Sequence, residues 1–149
     1  VHSEMVVAEI ETAHHHGKEY GAPKILPVRL AYDENLVAAG DYSLDSGYEA
    51  MRKILKHDPD GVFVSSDLMA IGTQRAIREA GLRIPDDIGM VGFDDLPEAL
   101  IAEPALTTIR QPIDLLGQAA VELLHTCIQQ PKLPIDSRIL PVELIERQT

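Results

Sequence analysis

The sequence predicts an α/β fold, a parallel sheet flanked by helices, and three observations lead there. Short apolar runs alternate with amphipathic helical stretches at the spacing of βαβ units. The connections between them are short, as right-handed crossovers require. Four of the runs, at 37–39, 61–64, 88–93 and 107–109, each end in polar residues. If these runs are parallel strands, Gly40-Asp41-Tyr42-Ser43, Ser65-Ser66-Asp67, Asp94-Asp95 and Arg110-Gln111-Pro112 lie along one carboxyl edge. That edge is where open α/β sheets bind their ligands.

The first thirty residues are the least regular. Val6 to His16 can form a helix, but Gly17, Gly21, Pro23 and Pro27 interrupt anything continuous before Val28. After the strand at 37–39, a helix is expected over 43–56, with Tyr48, Met51 and Leu55 on one face and Ala50 and Ile54 alongside. Asp45 suits its positive end, and Lys53 and Lys56 its negative end. Asp58-Pro59-Asp60-Gly61 then turns the chain into the strand at 61–64.

The clearest helix covers 67–80. Leu68, Gly72 and Ala76 recur on one face with Met69, Ile77 and Ala80 beside them, and Gln74, Arg75, Arg78 and Glu79 take the other side. Ser66 can cap its start and Gly81 its end, with Leu82 as the apolar residue that accompanies a glycine cap and Pro85 preventing resumption. Beyond the strands at 88–93 and 107–109, a helix over 112–129 begins with Pro112 in its first turn. It presents Ile113, Leu116, Ala120, Leu123, Leu124, Cys127 and Ile128 as an apolar stripe. The last run, 139–145, reads as an edge strand because Pro141 cannot donate to a ladder.

A chain of 149 residues is long enough for one domain with a sizeable core. Thirteen Lys and Arg against 24 Asp and Glu give a net charge of -11, so a broad basic surface for nucleic acid or anionic lipid is not available. No apolar run approaches the roughly 20 residues that span a bilayer. The single Cys127 excludes an internal disulfide framework and reads as a small core residue. Val1-His2-Ser3-Glu4 does not open a signal peptide, although a trimmed start would read the same, and a cytoplasmic location is expected.

The polar tips leave several chemistries open. Asp94-Asp95 can bind a divalent cation, accept hydrogen bonds from a polyol or amine, or cap a turn. Adjacent residues of an extended chain point opposite ways, so at most one carboxylate is expected to face the crevice. Tyr42 can offer an aromatic face to a sugar or base, or be a half-buried packing residue. Ser66 is a ligand contact or a helix cap. His14-His15-His16 spread around a helix and read as solvated surface, and His125 and Cys127 cannot share a helical face. There is no Gly-rich phosphate loop, nucleophile elbow or H-E-x-x-H, so no enzyme class, cofactor or metal site is signalled.

The ordered motifs carry a resemblance. V-S-S-D-L-M-A-I-G-T-Q-R-A-I-R-E-A-G-L-R-I-P-D-D-I-G-M-V-G-F-D-D over 64–95 and P-A-L-T-T-I-R-Q-P over 104–112 resemble the effector-binding region of LacI/GalR transcriptional regulators. So do G-D-Y-S-L-D-S-G-Y-E-A-M over 40–51 and L-P-V-E-L-I-E-R over 140–147. The resemblance implies one lobe of a periplasmic-binding-protein-like type I fold, which closes with a second lobe on a sugar, nucleoside or related polar metabolite. It implies a repressor-type sensor with no reaction to catalyse, in which the effector shifts the balance between DNA-competent and incompetent dimers. By position, Tyr42 resembles the aromatic that stacks on the effector, Ser66 a polar contact, and Asp94 the carboxylate that grips effector hydroxyls or amines, with Gln111 at the crossover a weaker candidate. Family dimers pack through the helix at 67–80 and the segment 96–105. Ile71, Leu100 and Ile101 are therefore candidates for a homodimer interface, or else fill their own core.

The likeness covers 30–149, the C-terminal lobe with crossover helix 112–129, whereas 1–29 match poorly. No helix-turn-helix and no N-terminal lobe precede it, so DNA binding is expected only through a domain absent from this sequence. Without the second lobe, the apolar stripe of 112–129 must dock on its own lobe, meet a partner chain, or stay mobile. Two other functions compete: a periplasmic sugar-binding protein of the same architecture, and, remotely, a metal-dependent phosphoryl-transfer α/β enzyme using Asp94 and Asp95.

Overall fold

The computed structural model describes residues 3–6, 33–132 and 137–149. Six strands and four α-helices follow in the order β1 (Ser3–Val6), β2 (Val37–Gly40), α1 (Leu44–Ile54), β3 (Gly61–Phe63), α2 (Asp67–Glu79), β4 (Gly89–Asp94), α3 (Pro97–Ile101), β5 (Thr108–Arg110), α4 (Ile113–Gln129) and β6 (Glu143–Ile145). They build one sheet of order β2-β1-β3-β4-β5-β6.

The sheet is mostly parallel but mixed. β3, β4 and β5 pair in parallel, with Val62 opposite Met90 and Phe93 opposite Ile109. β1 lies antiparallel between β2 and β3, and β6 closes the far edge antiparallel to β5. Two antiparallel steps through β1 restore direction, so β2, β3, β4 and β5 all run the same way. The four polar tips therefore share one edge, as the sequence predicts. Val6 ends a strand and does not begin a helix, and 7–16, with the three histidines, lie outside the described residues.

Local chemistry sets the helix ends. Ser43 Oγ accepts the Ser46 amide at 3.1 Å and caps α1, which gives way to a 3-10 turn at Leu55–His57 and a left-handed Asp58. At the end of α2 the Leu82 amide bonds Ile77 O and the Gly81 amide bonds Arg78 O, with Gly81 at φ +80°. This is a Schellman cap, and Leu82 completes it by packing on the core.

α1 buries Gly47, Ala50, Met51 and Ile54; α2 buries Met69, Ala70, Ala76 and Ile77. With Val62, Val64, Ile88, Met90, Ala99 and Leu106 they form the core. Two expectations for α2 fail. Leu68 is 39% exposed, whereas Gln74, assigned to the polar side, is buried and donates from Nε2 to Pro104 O at 2.9 Å. α2 is covered both by α1 and by the segment around α3, so a single apolar stripe does not describe it.

The last elements depart further. β6 is confined to Glu143–Ile145, and Ile139 is almost fully exposed. Along α4 only Ala119 is buried, and Ile113, Leu115, Leu116, Val121, Leu124 and Ile128 stay exposed. Among the described residues the stripe finds little cover, and Cys127 is half-buried on it, not a core residue.

α1 and α2 cross backbone to backbone at two glycines. A Cβ on Gly47 would strike the Met69 carbonyl, and one on Gly72 the Leu44 carbonyl. Alanine gains up to about 1 kcal/mol of helix propensity over glycine, but overpacking against rigid backbone costs about 1–3 kcal/mol. Gly47→Ala and Gly72→Ala should each lower the urea midpoint, and unchanged midpoints would show that the helices can separate freely.

Candidate functional site

At the β2 tip, Asp41 Oδ1 accepts the Ser43 amide at 3.0 Å, and the Asp41 amide donates to Ser46 Oγ at 3.1 Å. Hydrogen bonds from Ser43 and then Ser46 hold the Asp41 carboxyl below its usual range. The residue between these bonds, Tyr42, sits at φ 68° with its side chain 47% exposed. A left-handed aromatic costs about 1–3 kcal/mol and persists only where its surroundings over-determine it.

At the β3 tip, Ser66 occupies the N-cap of α2 and is buried, yet its side chain makes no cap hydrogen bond. Capping therefore does not account for the residue. Next to it, Ser65 Oγ is buried without a hydrogen-bond partner among the described residues.

The third residue of this tip, Asp67, was not singled out from sequence. It is fully buried, accepts Thr108 Oγ1 at 2.6 Å on one carboxylate oxygen and the Leu96 amide at 2.8 Å on the other. Burial pushes its carboxyl above the usual range, against those hydrogen bonds, which pull it down. Gly92 leaves room for it, since a Cβ there would collide with Asp67 Oδ1. The legible signal was an acidic residue in a first helical turn, which looks the same whether it faces water or the core.

Asp94 and Asp95 end β4 at φ 116° and 57°. Their carboxylates have different partners, although the positive φ values mean that this comes from a turn and not from strand alternation. Asp94 Oδ1 accepts Gln111 Nε2 at 2.9 Å, which joins two of the residues predicted for the site. Burial raises the Asp94 carboxyl, partly opposed by the Gln111 bond and reinforced by the Asp67 charge. Asp95 instead takes Arg110 Nε at 2.6 Å and Arg147 Nη2 at 2.5 Å. Burial would raise Asp95 too, but hydrogen bonds from Arg147 and Arg110, with their charges, outweigh it and hold the carboxyl below the usual range. A divalent ion bridging the two adjacent carboxylates finds Asp95 already committed. Among the described residues no group of three or more His, Cys, Asp or Glu is placed to hold a metal.

Asp94 and Gln111 thus meet at the β4 and β5 tips, and Ser66 lies at the neighbouring β3 tip. Tyr42 stands at β2, three strand spacings from β4, or about 14 Å along the same edge. The predicted interface residues are elsewhere. Leu100 and Ile101 are 64% and 79% exposed, while Ala99 and Leu106 fill the core beneath them, and Ile71 is half-buried. Leu100 and Ile101 do not fill their own core.

The periplasmic binding protein-like domain family matches residues 19–149. The chain is 43% identical over 102 residues to the HTH-type transcriptional regulator CelR of Thermobifida fusca, covering 67% of this chain and 30% of that protein. It is 40% identical over 122 residues to the repressor PurR of Klebsiella pneumoniae, covering 80% and 36%. To the ribose operon repressor of Escherichia coli it is 41% identical over 110 residues, covering 72% and 33%. Among solved structures, the complex of CelR with cellobiose superposes with a TM-score of 0.73 at 39% identity, over 80% of this chain and 37% of that one. The lac repressor dimer bound to operator and an anti-inducer gives 0.66 at 39%, over 74% and 39%. The chain spans about a third of the length of the curated relatives it matches.

The depressed Asp95 carboxyl makes a pH prediction. A carboxyl that ionises more readily folded than unfolded stabilises above its ordinary value of 3.8 and loses that contribution as pH falls through its folded value. Asp95→Asn should cost about 2 kcal/mol at pH 7, the scale of hydrogen bonds to charged groups. The gap from wild type should narrow in urea titrations below pH 4; a gap independent of pH would refute the ionic account.

Proposed function

Because this chain belongs to the periplasmic binding protein-like domain family, we propose that it is the C-terminal, effector-sensing lobe of a LacI-type transcriptional repressor. The observation behind this reading is the Asp94–Gln111 pair at the β4 and β5 tips, at the edge where the fold places ligands. The second Asp94 oxygen accepts a ligand hydroxyl, and Gln111 keeps one N–H and its carbonyl for the same ligand. Tyr42 offers an exposed ring to the apolar face of a sugar. Ser66, at the intervening tip, supplies a shorter polar contact. The effector class is a sugar or similarly polar metabolite, in keeping with the cellobiose complex of CelR.

The mechanism is binding alone. An effector that prefers one arrangement of the lobes shifts the population of dimers competent for DNA, by no more than its difference in affinity for the two states. DNA contact belongs to a domain outside this chain. The exposed α4 stripe is covered by the other lobe, into which the chain crosses after β5 and from which it returns at β6. Leu100 and Ile101, with Ile71 beside them, form the homodimer contact.

Two measurements test this. In the intact regulator, Asp94→Ala should weaken calorimetric binding of a responsive sugar by at least about tenfold, since truncation leaves a polar partner unmatched at about 1–3 kcal/mol. Unchanged affinity would sink the assignment of the site. Ile101→Glu should shift the intact protein from dimer to monomer in sedimentation, because a buried unpaired charge is costly at an interface. An unaltered dimer would place the interface elsewhere.

A further inference from the structure

Arg147 lies near the C-terminal end of the chain, yet among the described residues it is the least exposed of the ion-paired arginines. Its amide donates to Thr107 Oγ1 at 3.0 Å, its Nη1 to Leu106 O at 2.7 Å, and its Nη2 to Asp95 Oδ1 at 2.5 Å. The side chain is 13% exposed, against 50% for Arg110 on the other Asp95 oxygen. The next residues extend the anchor. The Gln148 amide bonds Ala105 O, and Thr149 Oγ1 accepts the Thr107 amide and donates to Met90 O. Arg147 is therefore a fixed point, and Asp95 hangs from it.

Asp95 is one of two consecutive non-glycine residues held at positive φ, the other being Asp94. Such a pair stays in place only if both flanks are tied. On the far side the Leu96 amide is tied to Asp67; on the side chain itself the tie is Arg147, with the exposed Arg110 as a weaker second. The turn these ties impose sends Asp94 toward Gln111 and Asp95 away from it.

We propose that Arg147 is a positioning residue of the ligand site: it touches no ligand, but by holding Asp95 it sets the backbone turn that aims Asp94 into the crevice. This rests on the functional reading above for its ligand, though not for its geometry. Outer supports of this kind act on the groups they orient by about tenfold in affinity.

The test uses the intact regulator with cellobiose and ribose as calorimetric probes, and Arg147→Met alone and combined with Asp95→Gly. Glycine adopts positive φ without a side-chain tie. Arg147→Met should weaken sugar binding about tenfold when Asp95 is present and have no further effect in the Asp95→Gly background. Equal losses in both backgrounds, or no loss with Asp95 present, would overturn the proposal. Arg147→Lys, which keeps the charge and should bind more tightly than Arg147→Met, maintains the comparison if the methionine variant does not fold. A ligand-free readout separates the two claims. The Gln111 side-chain amide protons, bonded to Asp94, should shift toward free-amide positions in the variant's NMR spectrum. Unshifted protons overturn the positioning role, whereas the shift in the variant together with a wild-type protein that binds neither sugar overturns only the functional reading.

Discussion

The buried carboxylate of Asp67 is the interaction on which the ligand edge depends. A charge with no exposure is costly unless its hydrogen-bonding capacity is met, and here Thr108 and the Leu96 amide meet it from two different segments. The start of α2, the loop after β4 and the strand β5 are thereby drawn to one point. The positive end of the α2 dipole favours the charge in the same place. Gly92 is the complementary concession, because any side chain there would displace the carboxylate.

Around that point the tips store local strain. Tyr42, Asp94 and Asp95 all adopt positive φ, and all three stand at strand ends on the ligand edge. Each is held by polar bonds to neighbours: Tyr42 by the Asp41, Ser43 and Ser46 bonds flanking it, the two aspartates by Gln111, Arg110 and Arg147. Strain held this way fixes side chains in one orientation, and on the proposed reading that limits the ordering cost of binding. Burial raises the Asp94 carboxyl, and the Asp67 charge adds to it.

The segment after β5 contrasts with these tightly bonded tips. α4 leaves the β5 tip with six large apolar side chains exposed and Ala119 alone buried. Glu122 holds Arg138 at 2.6 Å, and Leu140 and Val142 line a groove of about 290 Å³ against Leu116 and Leu123. An exposed apolar face of this extent is the mark of an interaction surface, which the proposed second lobe would cover.

Much of this was legible in the residues alone. Alternating apolar runs and helical stripes identify the α/β architecture and the common edge of the tips, because period and connection length are local properties of a chain. Ser43, Gly81 with Leu82, and Pro112 mark helix ends for equally local reasons. Motif resemblance nominates Asp94 and Gln111 as candidate site residues, but it does not say that they bond one another. Only the tertiary structure decided that Asp95 is held in an ion pair, because that turns on Arg147, 52 residues away. It also decided that Asp67 and Gln74 are buried, since the pattern of one helix does not say how many neighbours cover it. The antiparallel insertion of β1 and the bareness of α4 have the same origin: they depend on which surfaces of the chain meet, and a periodicity records only that a surface is apolar.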